Sequence, residues 1–353
     1  MKTVIRTLAT VAGLGLAAAA AVVFGGLYDV SARHGHLPGV SWVLHTTFRN
    51  SVELRARPMS EVPPLTDEMA ALGVRHYDAS CRHCHASPGE TATQTMRAMV
   101  PHPPHITDAV ADWKPNELGW IVYHGVKMSG MPQWPAPRED EVWSVVAFLV
   151  RVRQMSEDAY SDLTAQPPAD LAGLSYCASC HGLQGHAPNP HVPRLDILNR
   201  AYLDMSLDAF LGELRHSGIM QHAVTEVPPE ALGPLAEHYA TQAVGPAATQ
   251  DLDPGLVERG RTLAEAQEGD DVPACRSCHG PWPDRLRDEF PSLSGQHEPY
   301  LRSQLKAWRD GHRGGGPLSE LMREAAEDLE DADIDALAAF YASLPPARLS
   351  PAP

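Results

Sequence analysis

All six cysteines of this 353-residue chain lie in three copies of one pattern, Cys-x-x-Cys-His. The copies begin at Cys81, Cys177 and Cys275, so the pattern recurs at intervals of 96 and 98 residues. Two intervening residues place both thiols on one side of a single helical turn, and the following histidine can then point at a metal between them. This pattern is the attachment site of a c-type haem, in which the thiols form thioethers and the histidine is the proximal iron ligand. The sequence therefore predicts three covalently bound haem c groups.

The three motifs supply the predicted covalent and proximal residues. Thioether bonds are expected at Cys81, Cys84, Cys177, Cys180, Cys275 and Cys278, and proximal ligation at His85, His181 and His279. A zinc site needs four ligands around one ion, which pairs so far apart in sequence do not suggest. A thioredoxin-like pair needs no histidine behind it, and disulfides between pairs would explain neither the spacing nor the histidines.

Charge and composition narrow the class of protein further. The formal net charge is −16 at pH 7, which argues against a nucleic-acid partner because such partners need a basic face. The 32 prolines and 27 glycines predict long loops between helices. Strand-like alternation is nearly absent, so the predicted fold is all-α. The regular motif spacing predicts one small domain per haem.

The N-terminus predicts export. Lys2 and Arg6 precede an uncharged run that extends from Thr7 to Tyr28. Its apolar centre of about 20 residues would span about 30 Å as a helix, the thickness of the bilayer core. Positive charge before the run places the start in the cytoplasm and the haems on the periplasmic side of the inner membrane. A cleaved signal peptide, ending near Val30-Ser31-Ala32, is the alternative, although the run is long for one.

Helix periodicity and turn residues divide the chain. The predicted segments are an anchor or signal at 1–32, a connector at 33–65, and three tandem domains at 66–157, 169–243 and 255–345. Helices are expected at 66–80, 138–153, 207–216, 229–239, 255–266, 300–310 and 331–344, and the tail after 345 is expected to be disordered. The connector has apolar residues spaced for one helix face, with Arg49, Arg55 and Arg57 among them. It either covers the first domain or forms an interfacial or docking helix.

The second axial ligand of each iron decides between electron transfer and chemistry at an open site. In the first domain we predict Met131, because Pro132 stiffens its loop, and we expect Met128 to pack. In the third we predict Met322, the only methionine after Cys278, with His312 as the alternative. In the second we predict Met220, with Met205, His216 and His222 as competitors.

The remaining histidines and several loop prolines have smaller predicted roles. His83 is a spacer that faces away from the iron, and His102 and His105 are expected to be solvated. A proximal imidazole needs a partner for its other nitrogen, often a backbone carbonyl. Pro104, Pro193 and Pro291 stand at equivalent positions for that role, although they could also be ordinary loop residues.

All three domains resemble class I c-type cytochromes, which have short helices around one haem, His/Met ligation, and crossing first and last helices. Gly73 with Tyr77, and Gly260 with Phe340 and Tyr341, match that crossing. The second and third domains resemble tandem di-haem cytochromes: the third has the pattern Pro291-Ser292-Leu293-Ser294-Gly295-Gln296, whereas the second has Pro193-Arg194-Leu195 without the Gly-Gln. The first, with its Gly-Met-Pro-Gln-Trp stretch, resembles membrane-anchored single-haem cytochromes of bacterial respiratory chains.

The resemblance implies an electron carrier without catalytic residues and without a small-molecule substrate. Its expected partners are the membrane and redox proteins: a quinol-oxidising complex or a dehydrogenase as donor, and a terminal oxidase or another cytochrome as acceptor. A second hypothesis is a cytochrome subunit of a membrane-bound flavin or quinoprotein dehydrogenase complex. A third is an enzyme or gas sensor with an open haem in the second domain.

Overall fold

The computed structural model describes residues 1–127, 129–266, 274–280, 287, 289–316 and 318–348. Over this part of the chain the fold is all-α, as predicted, and the one β-bridge joins Val126 to Met131. Two 3-10 turns lie at Met59–Glu61 and Val152–Gln154. The helices are α1 (Lys2–Gly25), α2 (Val40–Arg55), α3 (Asp67–Ser80), α4 (Arg82–His85), α5 (Gln94–Arg97), α6 (Ile106–Ala109), α7 (Pro115–His124), α8 (Glu139–Leu149), α9 (Glu157–Thr164), α10 (Leu174–His181), α11 (Arg200–Leu211), α12 (Gly218–Thr225), α13 (Pro229–Thr241), α14 (Pro254–Glu265), α15 (Cys275–His279), α16 (Glu298–Arg309), α17 (Ser319–Glu324) and α18 (Asp331–Ser343).

Helix α1 is the one helix in the described residues that is long and apolar enough to cross a membrane. None of its residues is buried against the rest of the protein. Its last residue, Gly25, is followed by Gly26, which caps the helix with a left-handed φ of 65°. A membrane anchor and a signal sequence both have these properties, so both interpretations stay open.

Helix α2 confirms the helix predicted within the connector, but only part of its apolar face is covered. Phe48 packs edge-on against Trp113 at 5.3 Å between ring centroids, and Val52 is fully buried. In contrast, Trp42 is 71% exposed, and Val43 and Leu44 are exposed as well. The C-terminal half of α2 therefore covers the neighbouring helices, while its N-terminal half has no protein partner in the described part of the chain.

The helices after the connector form three large hydrophobic clusters that follow each other along the chain, and a fourth, small cluster joins Leu72 of α3 to Ala187 and Val192. In the first cluster, α3 crosses α8 so closely that a Cβ on Gly73 would lie 1.9 Å from the Ser144 carbonyl oxygen. In the third, α14 crosses α18 in the same way, and a Cβ on Gly260 would lie 1.9 Å from the Ala336 oxygen. Both crossings expected from the resemblance are confirmed.

The second cluster departs from this arrangement. It is formed mainly by α10, α11, α12 and α13, and its motif-bearing helix α10 begins only at Leu174. The helix predicted at 207–216 is placed wrongly, because α11 already begins at Arg200. The Asn199 side chain caps α11 by accepting a hydrogen bond from the Tyr202 N–H, and Gly212 follows its last turn.

Direct contacts join the loop that follows the second motif to the loop that follows the third. Gln296 exchanges two hydrogen bonds with the Arg194 backbone, at 2.8 and 3.1 Å. The buried His297 side chain contacts the Ala187 carbonyl oxygen through Nε2 at 2.9 Å. The Gln296 of the predicted di-haem pattern is thus a docking residue between two sequence segments. The domain boundaries themselves stay a prediction.

Candidate haem-binding sites

Each of the three motif histidines contacts a loop carbonyl through its Nδ1. The distances are 2.9 Å from His85 to Pro104, 3.1 Å from His181 to Pro193, and 3.0 Å from His279 to Pro291. This confirms the role predicted for the three prolines. A hydrogen bond donated by Nδ1–H fixes the ring orientation and leaves Nε2 free to bind a metal.

The surroundings of the same three imidazoles favour the neutral form, which is the form that binds a metal. Burial lowers the pKa of His85, His181 and His279, and the hydrogen bond to the proline carbonyl opposes this only in part. An imidazole that stays unprotonated keeps its Nε2 lone pair available for iron.

The backbone has a positive φ at the residue directly after each motif. Ala86, Gly182 and Gly280 all have positive φ values, of 56°, 74° and 78°. Glycine adopts this conformation freely, whereas the alanine is strained. The Tyr77 hydroxyl donates a hydrogen bond of 2.5 Å to the Ala86 carbonyl, which holds this strained turn in place.

A cavity of about 990 Å³ brings together the predicted residues of the second site. Its lining includes Cys177, Cys180, His181 and Met220. Among the competitors for the axial position, His216 also lines this cavity, whereas Met205 and His222 do not.

A smaller cavity of about 160 Å³ brings together the predicted residues of the third site. Its lining includes Cys275, Cys278, His279 and Met322. His312, the alternative ligand, lines the second-site cavity instead, while Met205 reaches the third-site cavity beside Gly316.

The first motif and Met131 line neither of these two cavities. Met131 lies in a tight turn: its carbonyl accepts a hydrogen bond from the Val126 N–H at 3.1 Å, and its own N–H donates to Ser129 Oγ at 3.3 Å. The turn begins and ends with left-handed glycines, Gly125 and Gly130. The packing role expected for Met128 lies outside the described residues.

Two arginines between the second and third sites are features that sequence reasoning missed. Arg215 is 8% exposed and donates to Ser206, Tyr300 and Gln304, while Arg313 donates to the Tyr202 hydroxyl at 2.8 Å. Neither guanidinium forms a salt bridge with a carboxylate in the described part of the chain. Burial disfavours ionisation of Tyr202, but Arg313 and Arg215 outweigh it and lower the Tyr202 pKa to about 8.

This arginine pair gives a test of whether the residues fit a haem. Enclosed positive charge without an acidic partner is costly unless an anion neutralises it. A haem carries two propionate groups, and Arg313 lines the third-site cavity while Arg215 lines the second. The residues around both cavities therefore fit the group. Arg215 and Arg313 lie almost 100 residues apart in sequence, and no motif indicated that they would line these cavities.

The other histidines follow the predictions in part. His83 and His102 are exposed, as expected. The prediction for His105 is wrong: its side chain is half-buried, contacts Thr107 through Nδ1, and reaches the Ser87 and Glu90 carbonyls through Nε2. It organises the loop after the first motif because those carbonyls need a donor.

Comparisons with known proteins agree with this geometry. Residues 68–149 match the family model described as cytochrome c oxidase, cbb3-type, subunit III. The thiosulfate dehydrogenase electron acceptor of Thiomonas intermedia (strain K12) is 33% identical over 171 residues, or 48% of this chain and 78% of that protein. Cytochrome c4 of Pseudomonas aeruginosa is 30% identical over 180 residues, or 50% of this chain and 87% of that protein.

A crystal structure of reduced recombinant cytochrome c4 from Pseudomonas stutzeri is also similar, at 28% identity. It aligns with 50% of this chain and 100% of its own length, with a TM-score of 0.44. The motifs, the contacts of their histidines and the identity to relatives matched over 78% and 87% of their own length indicate one family. The chain belongs to the c-type cytochromes, with the cytochromes c4 among its relatives, and these are electron-transfer proteins that hold haem c covalently.

Proposed function

We propose that this protein is a membrane-anchored tri-haem cytochrome that relays electrons in a periplasmic respiratory chain. Its donor would be a quinol-oxidising complex or a dehydrogenase, and its acceptor a terminal oxidase or another cytochrome. The observation that carries the proposal is the threefold recurrence of one local geometry: a Cys-x-x-Cys-His helix whose histidine contacts a proline carbonyl through Nδ1.

The proposal gives each group of residues a role. The six cysteines anchor the haems, and His85, His181 and His279 bind iron from the proximal side. Met131, Met220 and Met322 would be the sixth ligands, which leaves no open iron position and no catalytic residue. Arg215 and Arg313 would neutralise haem propionates. Haem iron supplies the one-electron couple, and the protein sets its surroundings.

The three clusters support one haem domain each, at 66–157, 169–243 and 255–345. In this arrangement α1 is retained in the inner membrane, with Lys2 and Arg6 on the cytoplasmic side and the haem domains in the periplasm. The electron-acceptor name of one relative and the oxidase-subunit model over residues 68–149 favour a dehydrogenase as donor and an oxidase as acceptor.

One observation favours the second candidate, a cytochrome subunit of a dehydrogenase complex. The N-terminal half of α2 exposes Trp42, Val43 and Leu44, and a permanent partner would bury such a face. Purification of the chain from its native membrane distinguishes the two. A stoichiometric dehydrogenase that survives high salt supports the subunit, and an isolated cytochrome supports the carrier.

The haem content tests the main proposal directly. The intact mass of the purified chain should exceed that of the polypeptide by three haems, and the ferric protein should show a methionine-to-iron charge-transfer band without a high-spin component. Two haems, or one high-spin haem, would contradict the tri-haem relay. The mass also shows whether α1 is retained.

A further inference from the structure

The helix that carries Met220 packs against residues of the first cluster, which precedes it by some 80 residues in sequence. The backbone of Gly218, the first residue of α12, lies flat on the indole of Trp134: a Cβ there would be 2.3 Å from Trp134 Nε1 and Cε2. The next residue, Ile219, packs into the first cluster. The His76 ring of α3 lies 4.9 Å from that of Trp134 and 5.9 Å from that of His222 in α12.

A nearly buried carboxylate at the start of α8 binds the first turn of α12. Glu141 Oε2 accepts a hydrogen bond of 2.7 Å from the Gly218 N–H, and only 12% of the Glu141 side chain is exposed. Arg138 lies 3.8 Å from the same carboxylate and donates to the His216 carbonyl at 3.5 Å. Burial raises the Glu141 pKa, and Arg138 opposes this.

A displacement at this contact also displaces Met220, because Met220 lies two residues after Gly218 in the short helix α12. Ser217 caps the helix through its Oγ, which accepts from the Met220 N–H at 3.1 Å. Ser217 N–H in turn donates to Gln221 at 3.0 Å. The backbone N–H groups of Gly218 and Met220 are thus both satisfied by fixed acceptors. Any shift of Gly218 away from Glu141 moves Met220 with it.

We propose that Glu141 and Trp134, which belong to the first predicted domain, are positioning residues for the Met220 thioether in the second. This inference rests on the proposed function, in which Met220 is the sixth ligand of the second haem. A thioether is a weak ligand, and its bond to iron depends on how firmly the protein holds it. The ligation of the second haem then depends on the docking of the first domain, and separating the two loosens it.

The test uses the full-length holoprotein and five variants, of which Gly218→Ala is described below. Met220→Ala identifies the spectral and redox contribution of the second haem. Glu141→Ala removes the acceptor, and Glu141→Gln keeps a neutral oxygen in its place. Glu139→Ala is the matched control, because Glu139 lies on the same turn of α8 but pairs with Arg57 instead. The readouts are the charge-transfer band and the midpoint potentials.

We expect Glu141→Ala to lose about one third of the intensity of the charge-transfer band, which is the share of one haem in three. It should also lower the same midpoint potential that Met220→Ala lowers. Glu141→Gln should restore most of the band, and Glu139→Ala should leave it unchanged. Gly218→Ala approaches the contact from the other side and should resemble Glu141→Ala, because its methyl would collide with Trp134. It keeps the test decisive if Glu141→Ala fails to fold.

Two outcomes overturn the inference in different ways. An intact band in both Glu141→Ala and Gly218→Ala, beside a reduced band in Met220→Ala, refutes the positioning role and leaves the proposed ligands standing. An unchanged band in Met220→Ala refutes the ligand assignment, and the positioning role falls with it.

Discussion

Replacing Gly73 with alanine should force apart the two helices that enclose the first cluster. The new methyl would lie 1.9 Å from the Ser144 oxygen, 2.4 Å from the Ser144 carbonyl carbon and 2.9 Å from the Val145 Cα. All three atoms belong to the α8 backbone, so no side-chain rotation can relieve the collision. An ordinary contact of 3.4 Å requires α3 and α8 to separate by about 1.5 Å.

Two opposing effects set the size of the change. Alanine is favoured over glycine inside a helix by about 1 kcal/mol. Forcing a methyl into a packed core costs about 1–3 kcal/mol, and a backbone collision belongs at the upper end. The separation also loosens Tyr77, whose hydroxyl holds the turn after the first motif. We therefore expect the free energy of unfolding to fall by about 1–2 kcal/mol.

Guanidinium unfolding of the ferric holoprotein, followed in the haem absorption bands, measures this change. Gly255→Ala in α14 is the control, because its methyl would approach no other helix and would meet only the Asp253 carboxylate at 3.1 Å. It should alter stability by less than about 0.5 kcal/mol. If Gly73→Ala stabilises the protein by the helix-propensity gain, the close crossing of α3 and α8 is refuted.

Three further predictions follow from single residues. Arg313→Gln should lower the midpoint potential of the adjacent haem, because a nearby positive charge favours the reduced iron. In a redox titration, a tenfold change in this equilibrium corresponds to 59 mV. Unchanged midpoint potentials would contradict the proposed contact between Arg313 and a haem propionate. Ala86→Gly should raise the unfolding free energy by about 1 kcal/mol, because it removes the strain at a φ of 56°; denaturant titration measures the gain, and a loss would contradict the strain. Burial, with His222, lowers the His76 pKa to about 3. Between pH 6.5 and 3 the His76 ring therefore stays unprotonated in the folded protein, while the same ring binds a proton in the unfolded chain. The free energy of unfolding should fall by up to about 1.4 kcal/mol for each unit that the pH decreases in this window, and His76→Asn should flatten this fall, which denaturant titration at several pH values measures.

Local sequence patterns predicted the positions of many of the helices. Cys-x-x-Cys-His defined three short helices, and the spacing of apolar residues located α3, α13, α14, α16 and α18 within a few residues. It failed at α11, where Asn199 caps an earlier start. The solvated role expected for His105 failed because nothing near it in sequence shows that two carbonyls, of Ser87 and Glu90, converge on its ring.

By itself the sequence determined the haem-attachment pattern and the contacts between the motif histidines and their proline partners, because each depends on residues within about 20 positions of a motif. It also determined the all-helical fold of the described residues, through composition and periodicity. Only the tertiary structure decided which distant groups meet: Arg215 with Tyr300, Gln296 with Arg194, and Glu141 with Gly218. Pairings of this kind depend on how folded segments dock against each other, and docking arises from shape and buried charge rather than from spacing along the chain.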